Sequence, residues 1–448
     1  MKKLFSVSVL ILFTLSINSQ SLNELEKLRT TPKSDVFLQG FYWNSNPGGI
    51  WWDSLKSLAP RLASAGFSAV WIPPAAKGGG GFSMGYDIYD NYDFGEYNQK
   101  GSTETRFGSK SEMLQMIEMY KSVGVQLYYD AVLNHAGNAD AQAPYECGTA
   151  ADGWVIFNPA SGRFPKTAAN FHPNSVHCDN NSPYHNKIFF EDFCYFSGGT
   201  GDSLIAWGEY IINNLGFDGF RIDAIKHIEP GFTAQFAKAF PNLYIVGEHW
   251  SGESEIQSYF NEVTNLGGNI SLFDFPLRYT LKDMANNTTG SFNMNLLDGA
   301  GLINSGMSTF NISTFVENHD FDRIGYDGSV DNGHDPVLTD KDMAYAFIIF
   351  SEGRPSVFFK DYVDYNYGGL IDTLIWIRQN YLGGGTTKRS GLNAYYIRED
   401  GNQDQGVLSG DVYVARRNGF ENQIGGYLVI NDNPNQWIDV WVDTELPV

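Results

Sequence analysis

Eight apolar runs of strand length punctuate this chain of 448 residues, at 36–43, 69–74, 125–135, 219–225, 243–250, 271–275, 313–320 and 355–361. Segments with helical periodicity separate most of them, as at 111–123, 203–215, 231–240 and 341–350. Eight β/α units are the signature of a (β/α)8 TIM barrel of the α/β class, in which side chains at the carboxyl ends of the strands meet in one pocket. At 448 residues and 42% hydrophobic content, there is core enough for more than one domain.

Two stretches break the rhythm. Residues 137–199, after the third strand, are rich in Asn, Pro, Gly, His and aromatics and show no period. A loop of that length inside a barrel reads as an inserted domain. After a helix at 370–382, Gly383, Gly384 and Gly385 mark a boundary. Short strand patterns at 412–416, 426–431 and 437–442 then predict a small C-terminal antiparallel β-domain over 383–448. The barrel itself is expected over 34–136 and 200–382. The run Gly78–Gly81 lacks the Lys-Ser/Thr ending of a phosphate loop and reads as a flexible loop.

The first 20 residues have the build of a secretory signal peptide. Lys2 and Lys3 precede an apolar stretch from Leu4 to Ile17, too short to span a bilayer comfortably, and Ser19 to Ser21 offer a cleavage site. A secreted chain without stable membrane insertion is therefore expected. The net charge of −21 argues against nucleic acid, which needs clustered Lys and Arg. The three cysteines, Cys147, Cys178 and Cys194, fall within one stretch, and an odd number leaves at least one as a free thiol or metal ligand.

Acidic residues stand at the ends of three of the runs: Asp223 in GFRIDAIKH, Glu248 in IVGEHW and Asp320 in FVENHD. A fourth segment, DAVLNH, ends the third run at Asn134 and His135. Alternation along a strand puts Arg221 on the face of Asp223, where its cation would keep that carboxylate ionised, as a nucleophile requires. The apolar run before Glu248 implies desolvation and a raised pKa, which suits a general acid. Each acid alone reads equally well as a cap or surface group. Three at strand ends of an eightfold pattern point to chemistry at a sugar carbon, where carboxyls of unlike protonation act together.

These four segments resemble the four signature regions of the α-amylase family, glycoside hydrolase family 13. The likeness extends to QGFYWNSNPGGIWWDSL, AVWIPPAAKGG, SMGYDIYD and FGEYNQKGSTETRFGSKSEM, which are similar to α-amylases of hyperthermophilic archaea and, more distantly, of plants. It covers about 35–382. The resemblance implies a retaining hydrolysis of internal α-1,4-glucosidic bonds in starch or glycogen, with Asp223 as nucleophile, Glu248 as acid/base and Asp320 as transition-state stabiliser. The two working carboxyls would then lie about 5–5.5 Å apart. Tyr86 would stack under the sugar, and His135 and His319 would bond its hydroxyls. Arg221 would orient the nucleophile, and Lys226 and His227 would line the side that accepts the leaving glucan. Other members with the same carboxylates are glucan transferases and exo-acting maltooligosaccharide formers. A non-catalytic starch-binding protein would have lost a carboxylate, and none is lost here.

The same resemblance implies metals. Asn134, Asp179, Asp192 and the carbonyl of His227 would hold Ca²⁺ between barrel and insertion, a set of hard oxygen donors suited to it. His172, His177 and Cys194 match a zinc site of the archaeal relatives, and that set suits Zn²⁺. The chain departs from them at His177-Cys178-Asp179, where they carry two adjacent cysteines, so a local bridge there is missing or rearranged; a pairing of Cys147 with Cys178 stays open. A monomer is expected.

Overall fold

In chain order the strands are β1 (Phe37–Gln39), β2 (Ala69–Trp71), β3 (Gln126–Ala131), the short β4 (His135–Ala136), β5 (Ala141–Pro144), β6 (Asp152–Ile156) and β7 (Glu191–Asp192), then β8 (Gly219–Ile222), β9 (Tyr244–Gly247), β10 (Ser271–Phe273), β11 (Ile312–Phe315) and β12 (Arg354–Phe358). Strands β1–β3 and β8–β12 close into a parallel barrel in the order β1-β12-β11-β10-β9-β8-β3-β2. This computed structural model describes residues 23–147, 152–178, 182–185, 187–388, 392, 394–398, 403–405, 410–434 and 438–442. The expected signal at 1–20 and Asp179 lie outside them. Among the described residues, no helix is long and apolar enough to cross a membrane.

The amino-terminal end of the barrel is filled by rings. Phe37, Tyr128 and Tyr244 lie 5.2–6.1 Å apart, and the Arg354 guanidinium stands 4.0 Å from the centre of the Tyr244 ring. Such aromatic and cation–π packing makes a solid plug. Between β3 and β8 the chain leaves the barrel and forms two antiparallel pairs, β4–β7 and β5–β6. After the helix Gly368–Tyr381 come two three-stranded antiparallel sheets, built from β13 (Thr386–Thr387), β14 (Ala394–Arg398), β15 (Gln403–Gln405), β16 (Val412–Arg417), β17 (Gly426–Asn431) and β18 (Ile438–Val442). The sequence patterns revealed three of these six.

All eight barrel strands are shorter than the apolar runs that predicted them, and in four the continuation shows why. The run at 125–135 divides into β3 and β4. The strand expected at 271–275 stops at Phe273, because Asp274 caps the helix Phe275–Ala285 by accepting from the Leu277 N–H at 3.0 Å, with Pro276 in the first turn. The strand expected at 355–361 stops at Phe358 and passes straight into the helix Phe359–Val363. The strand expected at 313–320 stops at Phe315, so Asp320 stands on the loop beyond it. The helices Trp51–Ala65 and Glu253–Asn265, unmarked in the sequence reading, extend the alternation.

Candidate active site and metal ligands

Asp223 and Glu248 each follow a barrel strand by one residue, after β8 and β9. Arg221, on β8 and only 1% exposed, joins them. Its Nη1 contacts Asp223 at 2.8 Å and Asp130 at 2.7 Å, and its Nη2 contacts Glu248 at 2.7 Å. Arg221 and Asp223 thus meet on one side of the chain, as strand alternation predicts. Ala224 takes a positive φ of 45°, a strained setting for a residue with a Cβ, and its N–H donates to Glu248 Oε2 at 3.2 Å.

Asp320 is held from the opposite side. Its N–H donates to Asn318 Oδ1 at 2.9 Å, and His319 Nε2 lies 3.4 Å from its carboxylate. Behind that loop, Glu317 is fully buried against Arg278 at 3.2 Å and accepts from the Val337 N–H at 2.7 Å. The Arg278 guanidinium sits 3.5 Å from the centre of the Phe321 ring. The His319 ring accepts from the Gln39 amide on Nδ1 at 2.8 Å, and its Nε2–H donates to the Tyr86 hydroxyl oxygen at 2.9 Å. Tyr86 in turn donates its own proton to Asp130 at 2.8 Å and stacks on His319 with ring centres 5.4 Å apart. His135 Nε2 donates to the Tyr86 carbonyl at 2.8 Å, and Lys226 Nζ donates to the Trp250 carbonyl at 2.9 Å.

Burial sets the protonation pattern. The Glu248 carboxyl is pushed up to about 8 by desolvation, reinforced by the charges of Asp320 and Asp223 against the opposing pull of Arg221. Burial likewise raises Asp130 to about 7. His319 is lowered to about 4 by burial, so it is neutral near pH 7, and His227 falls to about 4 for the same reason. The cluster thus holds a protonated carboxyl at Glu248 beside Asp223 fixed to a guanidinium. That arrangement can donate a proton to an oxygen and present a carboxylate to a carbon.

The alpha amylase catalytic-domain profile matches residues 57–366. The chain belongs to the α-amylase family. It is a glycoside hydrolase. It is 29% identical over 433 residues to a glucan 1,4-alpha-maltohexaosidase of Bacillus sp. (strain 707), covering 84% of this chain and 81% of that one. It is 30% identical over 408 residues to an alpha-amylase of Geobacillus stearothermophilus, covering 78% and 71%. An Escherichia coli (strain K12) cytoplasmic alpha-amylase is 28% identical over 389 residues, covering 75% and 76%. Among solved structures, an alpha-amylase of Geobacillus thermoleovorans complexed with acarbose aligns with TM-score 0.61 at 16% identity, over 90% of this chain and 88% of that one, a likeness of fold.

Two groups of candidate metal donors gather where the excursion meets the barrel. Asn134 and Asp192 are brought together where β4 pairs with β7: His135 stands opposite Asp192, and the Phe193 N–H donates to the Asn134 carbonyl at 2.9 Å. Asn134 Oδ1 and Asp192 Oδ2 are buried without hydrogen-bond partners. Burial, with Glu229 and Glu191 nearby, pushes Asp192 up to about 9. Buried, unsatisfied oxygens of this kind fit a hard cation, which would restore the charge that burial disfavours.

The second group is larger than the sequence implied. His172, His177, His185 and Glu229 offer ligand atoms that all lie within 4.8 Å of one another. His172 and His185 stack with ring centres 4.0 Å apart, and both ring nitrogens of His172 are buried without partners. His177 Nδ1 lies 3.3 Å from Sγ of Cys194, a buried free thiol. Imidazole nitrogens with a carboxylate or thiolate fit Zn²⁺. Cys147 and Cys178 are joined in a disulfide.

Sequence reasoning missed Asp130, Gln39, His185 and Glu229. Asp130 was within reach, since it shares the inward face of β3 with Tyr128. His185 belongs to a group of three histidines within 172–185, in a chain that has eight. Glu229 had no local signal; it comes from the barrel, 44 residues beyond His185.

Proposed function

We propose that this chain is a secreted, endo-acting α-amylase that cleaves internal α-1,4-glucosidic bonds of starch or glycogen with retention of configuration. The observation that carries the reading is the sharing of one guanidinium by Asp223 and Glu248. It supports two carboxyls close enough for covalent catalysis and unlike in protonation. In the first step the Asp223 carboxylate bonds to the anomeric carbon as the bond to the leaving glucan breaks, and the Glu248 proton passes to the departing oxygen. In the second step Glu248 takes a proton from water, whose oxygen displaces Asp223 from the sugar. Asp320 faces the positive charge that develops on the ring in both. Tyr86, stacked on His319, forms the floor; His135 and His319 position hydroxyls; Lys226 and His227 flank the leaving chain.

Asn134, Asp179, Asp192 and the His227 carbonyl would hold Ca²⁺, which stabilises the junction of excursion and barrel. His172 and His177, with Cys194, His185 and Glu229 around them, would hold Zn²⁺ in a structural role. The nearer kinship to archaeal enzymes is part of this proposal and draws on that histidine–cysteine grouping. The domain limits at 34–136, 137–199, 200–382 and 383–448 and the monomeric state belong to it too. A second reading, formation of maltooligosaccharides of fixed length, draws on the maltohexaosidase likeness.

A product profile on soluble starch tests both. Rapid loss of iodine staining with mixed short products of α configuration is expected. A single early oligosaccharide would favour the second reading, and absence of reducing ends would overturn both.

A further inference from the structure

Beneath the carboxyl pocket, three side-chain atoms are buried with no hydrogen-bond partner among the described residues: Gln39 Oε1, Arg221 Nε and Glu248 Oε1. Buried polar atoms are rarely left bare, and three together mark a place where something polar belongs. All three residues line one small cavity, with Trp71, Phe273 and Phe315 among its walls. Its volume of about 10 Å³, measured for a water-sized sphere, is room for a single water molecule. Gln39 and Arg221 are each 1% exposed, so bulk solvent does not serve these atoms.

The donor set suits water and little else. Arg221 Nε–H can only donate, and Gln39 Oε1 can only accept. Glu248 Oε1 accepts when the carboxyl is ionised and can donate when it is protonated. An anion would fit Arg221 but would face the Gln39 oxygen and the buried Glu317 carboxyl, which also lines the cavity. A cation would meet the guanidinium. A water both gives and takes, and it can turn as Glu248 changes state. The other oxygen, Glu248 Oε2, is already held, by Arg221 Nη2 at 2.7 Å and by the Ala224 N–H at 3.2 Å.

Gln39 joins this cavity to the histidine above it. It ends β1, and its amide nitrogen donates to His319 Nδ1 at 2.8 Å. That bond leaves the imidazole proton on Nε2, the nitrogen turned to the Tyr86 hydroxyl. It also turns the amide oxygen away from His319. We propose that Gln39 is a positioning residue for the reaction: its amide N–H fixes the tautomer of His319, and its carbonyl, through one internal water shared with Arg221 Nε, steadies Glu248 in both of its protonation states. The proposal rests on the reading of Glu248 as acid/base.

The test is Gln39→Met, which keeps the length of the side chain and removes both polar ends. On soluble starch kcat should fall about tenfold or more while KM stays within about twofold. Loss of the water leaves ionised Glu248 less solvated, so the basic limb of kcat/KM should move to higher pH. The ¹⁵N spectrum of histidine-labelled protein should show His319 as one tautomer with a bare Nδ1 in the wild type, and as a mixture in Gln39→Met. A high-resolution crystal structure should show one water within hydrogen-bond reach of the three atoms, and a bromide soak should leave the cavity without anomalous signal. Wild-type kcat with an unmoved limb in a folded Gln39→Met overturns the proposal, as does bromide in the cavity. Should Gln39→Met not fold, the wild type decides: a protonated Nδ1 on His319 or a cavity without the water overturns it. If Glu248→Gln keeps wild-type turnover, it is the acid/base reading that fails.

Discussion

Glu248 is a carboxyl that burial keeps protonated where an ordinary one would be charged, and this has a measurable consequence. A general acid works only while it holds its proton. Raised to about 8, Glu248 keeps the proton through neutrality and loses it above, so the basic limb of kcat/KM should lie near pH 8 rather than near the 4.5 of an ordinary glutamate. Asp320 is among the charges that raise it, so the residual activity of Asp320→Asn should show that limb moved to lower pH. A limb unmoved in Asp320→Asn would separate the two carboxyls. Replacing the proposed acid, Glu248→Gln, should cost about 10²–10⁴-fold in turnover with the melting temperature nearly kept. Activity close to wild type would remove Glu248 from the mechanism. At this scale the sequence was most informative where neighbours in the chain are neighbours in space. Arg221 and Asp223 share a strand face by simple alternation. The buried Arg278–Glu317 pair, 39 residues apart, carried no such signal.

Elements deliver these residues, and their ends decide how well. Gly85 has a φ of +91°, and a Cβ there would lie 2.3 Å from the Pro74 carbonyl oxygen. Gly85→Ala should therefore destabilise by about 1 kcal/mol or more and shift the adjacent Tyr86. Thermal melting should register the first effect and a drop in kcat the second; if only melting moves, Tyr86 is not held by this turn. The strand runs were legible because a barrel strand is apolar on both faces. Their ends were not, because Phe275 and Phe359 continue the apolar run into helices that bury the same kind of residue. Periodicity reports burial, and it cannot separate a strand end from a buried helix start.

On the scale of the whole molecule, the excursion between β3 and β8 is tied down at several points. The Cys147–Cys178 bridge closes a loop of 31 residues, and its reduction should cost about 3–4 kcal/mol by loop-closure entropy. Denaturant unfolding with and without reductant measures it, and coincident curves would show the bridge to be idle. The histidine group adds a tie through Glu229, at the start of the helix Pro230–Ala239. Elemental analysis should find one equivalent of zinc in the native protein and its loss in His185→Ala and in Glu229→Gln. Chelation should lower the melting temperature, as removal of any ligand specific to the folded state does. Zinc retained in both variants would return the site to His172, His177 and Cys194. Motif likeness could indicate those three from their spacing, but not a carboxylate that only the closed barrel brings near.

Arg221 touches three carboxyls, and a fourth, Asp320, stands across the pocket. Two cations, Arg221 and the Arg323 guanidinium 4.0 Å from Asp320, face these four acids, and protonation of Glu248 and in part of Asp130 does not fully close the difference. The pocket is therefore an unfinished salt, short of positive charge at its centre. Water relieves that shortage poorly once excluded, and a neutral sugar hardly at all. In the proposed mechanism, what completes the lattice is a ring carbon that turns cationic for an instant, and the fold would then hold in permanent readiness a counter-ion for a species that never accumulates.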